Sequence, residues 1–401
     1  MRRPVTTFGF SLLLAAALAV NAGATQYMVS PNDDWSNFIP RLKPGDEVVL
    51  MPGRHIPVFV EGLVGTEQRP IIIRGFKNDF SSYIDAREHG LHLVRPQFVV
   101  IQDVRILGAT GNGINVDDGG TDRDDNPDAE PWVANIRIRR VEVLRTGPSG
   151  NTDGIKLSGL RGARIEDCKI EGWGGSAIDL VGCRDITIER CTFRGLIDYA
   201  QASGVQAKGG SQNVRIADCE FHEAGQRAVN AGGSTDLRYF RPAVKDEAAP
   251  GSLSEALGIQ IERCLFVGGD CAVAFVGSDR VTVQQCTIVR PTFWAFRILQ
   301  ETTDPRFGPS RRGTIGRNLI IWDGSSLKDL FNIGPDTDPA SFIFEDNLWW
   351  AEGVEEQPEL VMPGQMAFPQ VTGVDPRLNE KVQPQTPEAA NYGRPFALPG
   401  D

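Results

Sequence analysis

Apolar and polar residues alternate along this chain in short bursts with a period of two, and the bursts recur. The stretches DGIKLSGLRGARIEDCKIEGWG, SAIDLVGCRDITIERCTFRGLI, SGVQAKGGSQNVRIADCEFHEAG and CAVAFVGSDRVTVQQCTIVRPTF, between residues 153 and 299, follow one template. Where no loop intervenes the period is 22 or 23 residues. Each copy supplies a short alternating strand, a Gly-containing turn, a second strand, a Cys and a third short apolar strand. A unit this small cannot bury its own hydrophobic face, so copies must stack and share a core. Three strands per copy without a helical period predict an all-β solenoid of parallel strands, of about ten to twelve coils between Val48 and Trp350.

Aligning the first strand of each copy gives two inward columns. One holds Ile114, Ile155, Ile178, Val205, Val229, Val273, Phe296 and Phe331; the other holds Val116, Leu157, Leu180, Ala207, Ala231, Phe275, Ile298 and Ile333. Strand side chains alternate, so the position between them must point outward. That outward file reads Asn115, Lys156, Asp179, Gln206, Asn230, Ala274, Arg297 and Asn332. Two residues later on the same face stand Asp117, Ser158, Val181, Lys208, Gly232, Val276 and Leu299. Insertions at 117–132, 232–257 and 300–313 leave from the end of this strand, and 196–202 enters just before it. Long loops on one side of a polar sheet make the walls of a groove whose floor is the outward file.

The ends read differently. SPNDDWSNFIPRLKPGDEVVLMPGRH predicts a short amphipathic cap over the open end of the stack, followed by the first strand. Residues 1–24 pair two arginines with an apolar run from Phe8 to Val20 and Ala22-Gly23-Ala24. This is the pattern of a secretory leader, too short for a membrane span. The expected organisation is a leader at 1–24, a capped solenoid at 25–350 and an irregular Pro- and Glu-rich tail at 351–401 packed along it. Secretion follows, and a monomer is expected. The formal charge is −11 and losing Arg2 and Arg3 makes it more negative, which argues against a nucleic-acid partner. Of the seven cysteines, Cys168, Cys191, Cys219, Cys264 and Cys286 share one template position that Val104 and Val141 fill in earlier copies. A position that exchanges Val for Cys is an interior apolar column, so a dry thiol ladder is expected there rather than a metal site. Cys183 and Cys271 lie off it.

Candidate chemistry gathers on the floor. Asp179, Gln206 and Asn230 should stack at about 4.8 Å, with Lys156 beside Asp179 and Lys208 roughly 7 Å along the strand from Gln206. Arg227 precedes the next strand, His222 lies in the turn before it, and the 232–257 insertion carries Arg238, Tyr239, Arg241 and Lys245 past the same place. Arg297 continues the file. An acidic protein that collects cations in one part of a groove suits an anionic polysaccharide.

PGDEVVLMPG, GTEQRPIIIRG and the stacked turns resemble the right-handed single-stranded parallel β-helix of the pectin-lyase-like superfamily, over essentially the whole mature chain. KGGSQNVRIADCEFHEAGQRAVNAGG is similar to the catalytic stretch of the chondroitinase-B and alginate lyase family. That resemblance implies β-elimination on a uronate polymer, with Lys208 as base and Arg227 as its partner, although Arg227 falls before the strand rather than on its outward face. Removing the C5 proton requires cations or donors to neutralise the adjacent carboxylate. A Lys with its pKa lowered by neighbouring cations can take that proton. Arg227, with Arg241 or Lys156, would hold the carboxylate, and His222 would protonate the leaving oxygen. The family also binds Ca2+ through acidic residues upstream of the Lys, where this chain has QASGVQA, so the ion is missing, replaced by basic residues or supplied elsewhere, with the Asp-rich stretch 117–130 as the Ca2+ candidate.

Two other functions fit the residues. NTDG at 151–154 resembles a polygalacturonase motif, so Asp153 and Asp179 could serve an inverting hydrolase if about 6.5–9.5 Å apart. That family's adjacent double Asp and Gly-His-Gly are missing. A non-catalytic glycan-binding solenoid would instead present a ladder of Trp or Tyr along the groove, and the aligned floor columns hold none.

Overall fold

A computed structural model describes residues 23–120, 130–327, 329–366 and 368–395. The expected leader falls almost wholly outside the described residues, as does most of the Asp-rich stretch. The described residues form three parallel sheets of 15, 10 and 12 strands, and their only helices are short 3-10 turns. Each coil visits the sheets in turn. Ile155–Ser158 lies in the 10-stranded sheet, Leu160–Glu166 in the 15-stranded and Lys169–Trp173 in the 12-stranded; Ser176–Val181 then returns to the first. This is the solenoid of parallel strands that the repeat predicts, and the right-handed parallel β-helix that the resemblance implies. No described helix is long and apolar enough to cross a membrane.

The register agrees with the alignment position by position. Ile155 pairs with Ile178, Ile178 with Val205, Val205 with Val229 and Val229 with Val273, all fully buried. The outward file is equally continuous through Asn115, Lys156, Asp179, Gln206 and Asn230 to Ala274, Arg297 and Asn332. It also runs two rungs further than the alignment, through His92 to Phe59. One expectation needs correction: the file is not uniformly exposed. Asp179 is 0% exposed and Asn230 2%, because neighbouring side chains and loops close over the floor.

The turn between the 15- and 12-stranded sheets repeats a second device. Its residue takes the left-handed conformation in coil after coil: Asp103, Arg140, Asp167, Arg190, Asp218 and Arg263. Alternating acid and base lets adjacent rungs pair: Arg140 on Asp103 at 2.6 Å, Arg190 on Asp167 at 2.8 Å and Arg263 on Asp218 at 2.8 Å. Each pair is worth at most about 1 kcal/mol, enough to offset part of the cost of a left-handed non-glycine residue. The next residue is the Val/Cys column, which ends in Asn318 and Asn347. There Asn318 Oδ1 accepts from the Cys286 N–H at 2.9 Å and Asn347 Oδ1 accepts from Asn318 Nδ2 at 2.9 Å. Inside the 12-stranded sheet Phe193, Phe221 and Phe266 stack at 4.7 and 4.8 Å, the spacing of the rungs themselves.

At the N-terminal end Trp35 and Ile39 are fully buried over the last rung, and the Trp35 indole donates to the Ile56 carbonyl at 3.1 Å. The first strand precedes this cap rather than following it: Gln26–Val29 pairs with Glu47–Leu50. At the other end, short strands Gln365–Met366 and Val371–Thr372 add to the sheets. The solenoid therefore continues past the boundary expected at 350. The chain then turns back along the 12-stranded sheet, where Ala389 is fully buried against Val289, Leu319, Ile321 and Leu348.

All seven cysteines are free and buried, and burial drives the thiols of Cys191, Cys219 and Cys286 well above the usual range and those of Cys183 and Cys271 up to about 12. Because all seven are buried, a soluble aromatic disulfide reagent at pH 8 should find no accessible thiol in the native protein and all seven after denaturation.

Candidate functional site

Four residues of the floor form one chain of alternating charge. Lys156 Nζ donates to Asp153 Oδ2 at 2.9 Å and to Asp179 Oδ2 at 2.8 Å, and Lys208 Nζ lies 3.4 Å from Asp179 Oδ1. Asp153 is fixed further by the Ser176 N–H, which donates to its Oδ1 at 2.7 Å, while its own N–H donates to Asn112 Oδ1 at 2.8 Å. Lys208 also donates to Gln206 Oε1 at 3.2 Å. Both aspartates are essentially sealed from water, whereas the two lysines keep partial access through a cleft of about 410 Å³. Burial, then the charge of Asp179, raises the pKa of Asp153. Burial works against the ammonium of Lys156, but Asp179 and then Asp153 outweigh it, so its pKa is raised and it stays charged. Asp179 Oδ1 is a buried acceptor with no hydrogen-bond donor.

The walls are held by two buried charged residues. Arg241, expected to bind substrate, is 7% exposed and acts as a staple: its Nε donates to Asp118 Oδ2 at 2.9 Å and its Nη1 to the carbonyls of Arg238 and Phe240. It joins the 232–257 insertion to the loop after Asn115, and so is not free to neutralise a substrate carboxylate. The staple needs glycine beneath it. A Cβ on Gly159 would stand 2.2 Å from Asp118 Oδ2 and one on Gly182 would stand 2.9 Å from Arg241 Cβ, both at positive φ. Glu255, fully buried, accepts from the N–H of Gly209 at 2.9 Å, from the N–H and hydroxyl of Thr235 at 2.8 Å, and from the Thr302 hydroxyl at 3.2 Å. It ties both ends of that insertion and the next one to the floor. Neither Asp118 nor Glu255 was singled out by sequence; an acid inside the apolar-flanked SLSEAL was the available signal for the second.

The other candidates do not converge on Lys208. Arg227 stands opposite Ser203, five residues back along the strand, so roughly 16 Å separates it from Lys208 in the strand direction. Its Nη2 donates to Glu301 at 2.6 Å and its Nη1 to Asn230 at 3.4 Å. Arg297 lies with its guanidinium 4.5 Å from the centre of the Trp294 ring and donates to Asn332 at 3.0 Å; burial, then the charge of Arg227, lowers its pKa. Arg238 is exposed and paired with Asp236 at 2.9 Å. The cations thus divide between two places, and the charge nearest Lys208 is a carboxylate rather than the neighbouring cations expected to lower its pKa.

His222 lies elsewhere. It ends the strand Glu220–His222 of the 12-stranded sheet, facing the returning tail, and meets Glu220 at 3.3 Å. It cannot protonate a leaving group in the groove. Its own bond to Glu220, then, against burial, that of Arg394 at 2.7 Å, hold the Glu220 pKa at about 2.

Asp153 and Asp179 do not suit an inverting hydrolase. Lys156 Nζ sits between their facing oxygens at 2.9 and 2.8 Å, so these oxygens are separated by no more than the sum of those distances, short of the roughly 6.5 Å minimum. The ammonium fills the space the attacking water would need. The residues upstream of Lys208 do not fit Ca2+ either: Gln201–Gln206 offers no carboxylate, and Asp179 is flanked by two ammonium groups. Among the described residues no group of three or more His, Cys, Asp or Glu is placed to hold a metal ion.

Two outcomes test these assignments. Arg241→Met removes one member of a buried ion pair, a change of the kind that costs about 3–5 kcal/mol. Limited proteolysis should then cut within 232–257 while the cleavage pattern of the solenoid stays that of the parent. A depressed carboxylate stabilises above its unfolded pKa, and that stability is lost as pH falls through the folded value. The tail should therefore become more protease-sensitive between pH near 4.5 and pH near 2, and Glu220→Gln should remove that part of the pH dependence.

The family model described as a right handed beta helix region matches residues 77–239 and 153–305. No curated protein matches the sequence. An alginate lyase from Paenibacillus sp. str. FPU-7 superposes with a TM-score of 0.52 at 12% identity, over 82% of this chain and 98% of that one. The PL6 family alginate lyase AlyGC gives 0.44 at 14% identity, over 93% of this chain and 57% of that one. Pectate lyase Pel9A gives 0.41 at 11% identity, over 80% of each. The first likeness shows a shared fold, and the other two are too distant to argue from. With matches spanning more than half its length and three stacked parallel sheets, the chain belongs to the right-handed β-helix family.

Proposed function

We propose that this protein is a secreted polysaccharide lyase that cleaves a uronate-containing polymer by β-elimination in the cleft over Lys156 and Lys208. The observation that carries the reading is the sharing of Asp179 by two lysines in unlike surroundings, one clamped between two buried carboxylates and one at the open end of the chain of charges. Unlike environments on paired titratable groups are how one site holds a permanent charge and a proton acceptor side by side. Lys156 stays cationic and is the group to face the uronate carboxylate, the role expected of Arg227 with Arg241 or Lys156. Lys208 is the amine to take the C5 proton, once its own has been released to solvent. The electrons of that C–H bond form the C4–C5 double bond, and the C4–O bond breaks. The leaving oxygen is protonated from solvent in the open cleft, where Tyr239 supplies the phenol at the rim. The family membership and the fold shared with an alginate lyase support this reading.

Incubation with alginate, polygalacturonate and chondroitin sulfate, followed by absorbance of the unsaturated uronate, tests the reaction. Lys208→Ala should lower kcat by about 10²-fold or more with little change in melting temperature. Lys208→Arg should be as inactive, because a guanidinium keeps the charge but does not give up its proton. New reducing ends without the unsaturated chromophore, or normal turnover by either variant, would overturn the assignment.

A further inference from the structure

The floor does not stop at the cleft. Three rungs from Lys156, about 14 Å by strand spacing, the outward file ends in Phe59, which is 59% exposed. Its ring meets the edge of His92 at 4.9 Å, and His92 meets His89 at 5.3 Å, so three rings form a corner. A hollow of about 550 Å³ opens over it, lined also by Arg87 and Glu88. None of the three rings belongs to the solenoid core.

The corner is fixed to the cleft. His92 Nε2 lies 2.7 Å from Asp117 Oδ2, a carboxylate that only accepts, so His92 is the donor. Asp117 lines the cleft and also accepts from Asn115 Nδ2 at 2.8 Å. Asn112 donates from its Nδ2 to Asn115 at 2.9 Å and from its N–H to His89 Nδ1 at 2.9 Å, and it accepts from the N–H of Asp153. In neutral His89 the remaining ring proton is then on Nε2, a donor at the corner. One hydrogen-bonded network thus spans from the aromatic corner to the charges around Lys156.

We infer that Phe59, His92 and His89 form a sugar-binding subsite for the same polymer, on which a pyranose several units from the scissile bond lays its apolar C–H face against the Phe59 ring. This rests on the proposed function for the identity of the polymer and goes beyond it in assigning the subsite. The continuity of the file selects this occupant: a chain lying along the floor over Lys156 reaches Phe59 without leaving the groove. An exposed ring at the edge of a hollow, beside the ring N–H of His89, is the surface that stacks on a sugar and orients a hydroxyl.

The test separates binding from cleavage. Native electrophoresis through gels containing alginate or polygalacturonate measures retardation, in a Lys208→Ala background that prevents digestion. Adding Phe59→Ala should weaken the apparent affinity about tenfold, as expected for losing one stacked ring, and Phe59→Trp should retain it. Equal retardation of Phe59→Ala and its parent would overturn the subsite, as would a parent that neither polymer retards. Loss of retardation in Phe59→Ala, from a wild-type protein that yields no unsaturated product, would uphold the subsite and remove the lyase reading. Absence of thiol reactivity in each variant verifies that it is folded.

Discussion

Parallel stacking at about 4.8 Å is the constraint on which the rest of this molecule depends. Every residue has the equivalent residue of the coil above and below as its nearest lateral neighbour. An apolar position can then repeat indefinitely, as the Ile155–Ile178–Val205–Val229 column and the Phe193–Phe221–Phe266 stack do. Like charges one rung apart repel in a partly desolvated environment, so where they do stack, as Arg161 on Arg184 and Glu166 on Glu189, opposite charges stand beside them. The turn column answers by alternating Asp and Arg, and the floor answers by alternating Asp179 with Lys156 on the same file. Stacked Asn318 and Asn347 meet the same constraint with a side chain that both donates and accepts.

The same constraint decides where loops can go. A coil of fixed length has no slack, so insertions must leave at the turns, and those that flank the floor become its walls. A wall of irregular chain has no ladder to hold it and depends on specific buried contacts: Arg241 with Asp118, and Glu255 with Gly209, Thr235 and Thr302. These contacts convert cationic or acidic loop residues that look like ligand-binding groups into architecture.

This difference accounts for what the sequence could and could not tell. Alternation has period two and the repeat has a fixed length, so the inward columns, the file from Asn115 to Asn332 and the buried Cys column were legible from residue order. Arg241 and Asp118 are 123 positions apart in irregular chain, and no periodicity links them. His222 was misplaced because the third strand of its coil is only three residues long and reads as a turn; its outward face belongs to the tail. Arg227 has the parity of the inward column, and only the bend entering its strand lets its guanidinium reach Asn230. Phe59 and His92 escaped because the earliest coils lack the template, although their alternation, VFVE and LHLV, was present.

Stacking also separates the part of the cleft that the fold requires from the part it does not. Two buried carboxylates one coil apart need a cation between them, and Lys156 meets that need with bonds to both. Its presence would be expected in a solenoid with no activity at all. Lys208 is different. It stands two positions along the strand from the file, beside Val181 in the register, and its contact with Asp179 is the longer one at 3.4 Å. Asp179 already has a cation, so packing places no demand for a second lysine there. A partly exposed amine that the stack does not need, held at the open end of a network that fixes everything beneath it, is the residue whose presence calls for a chemical reason.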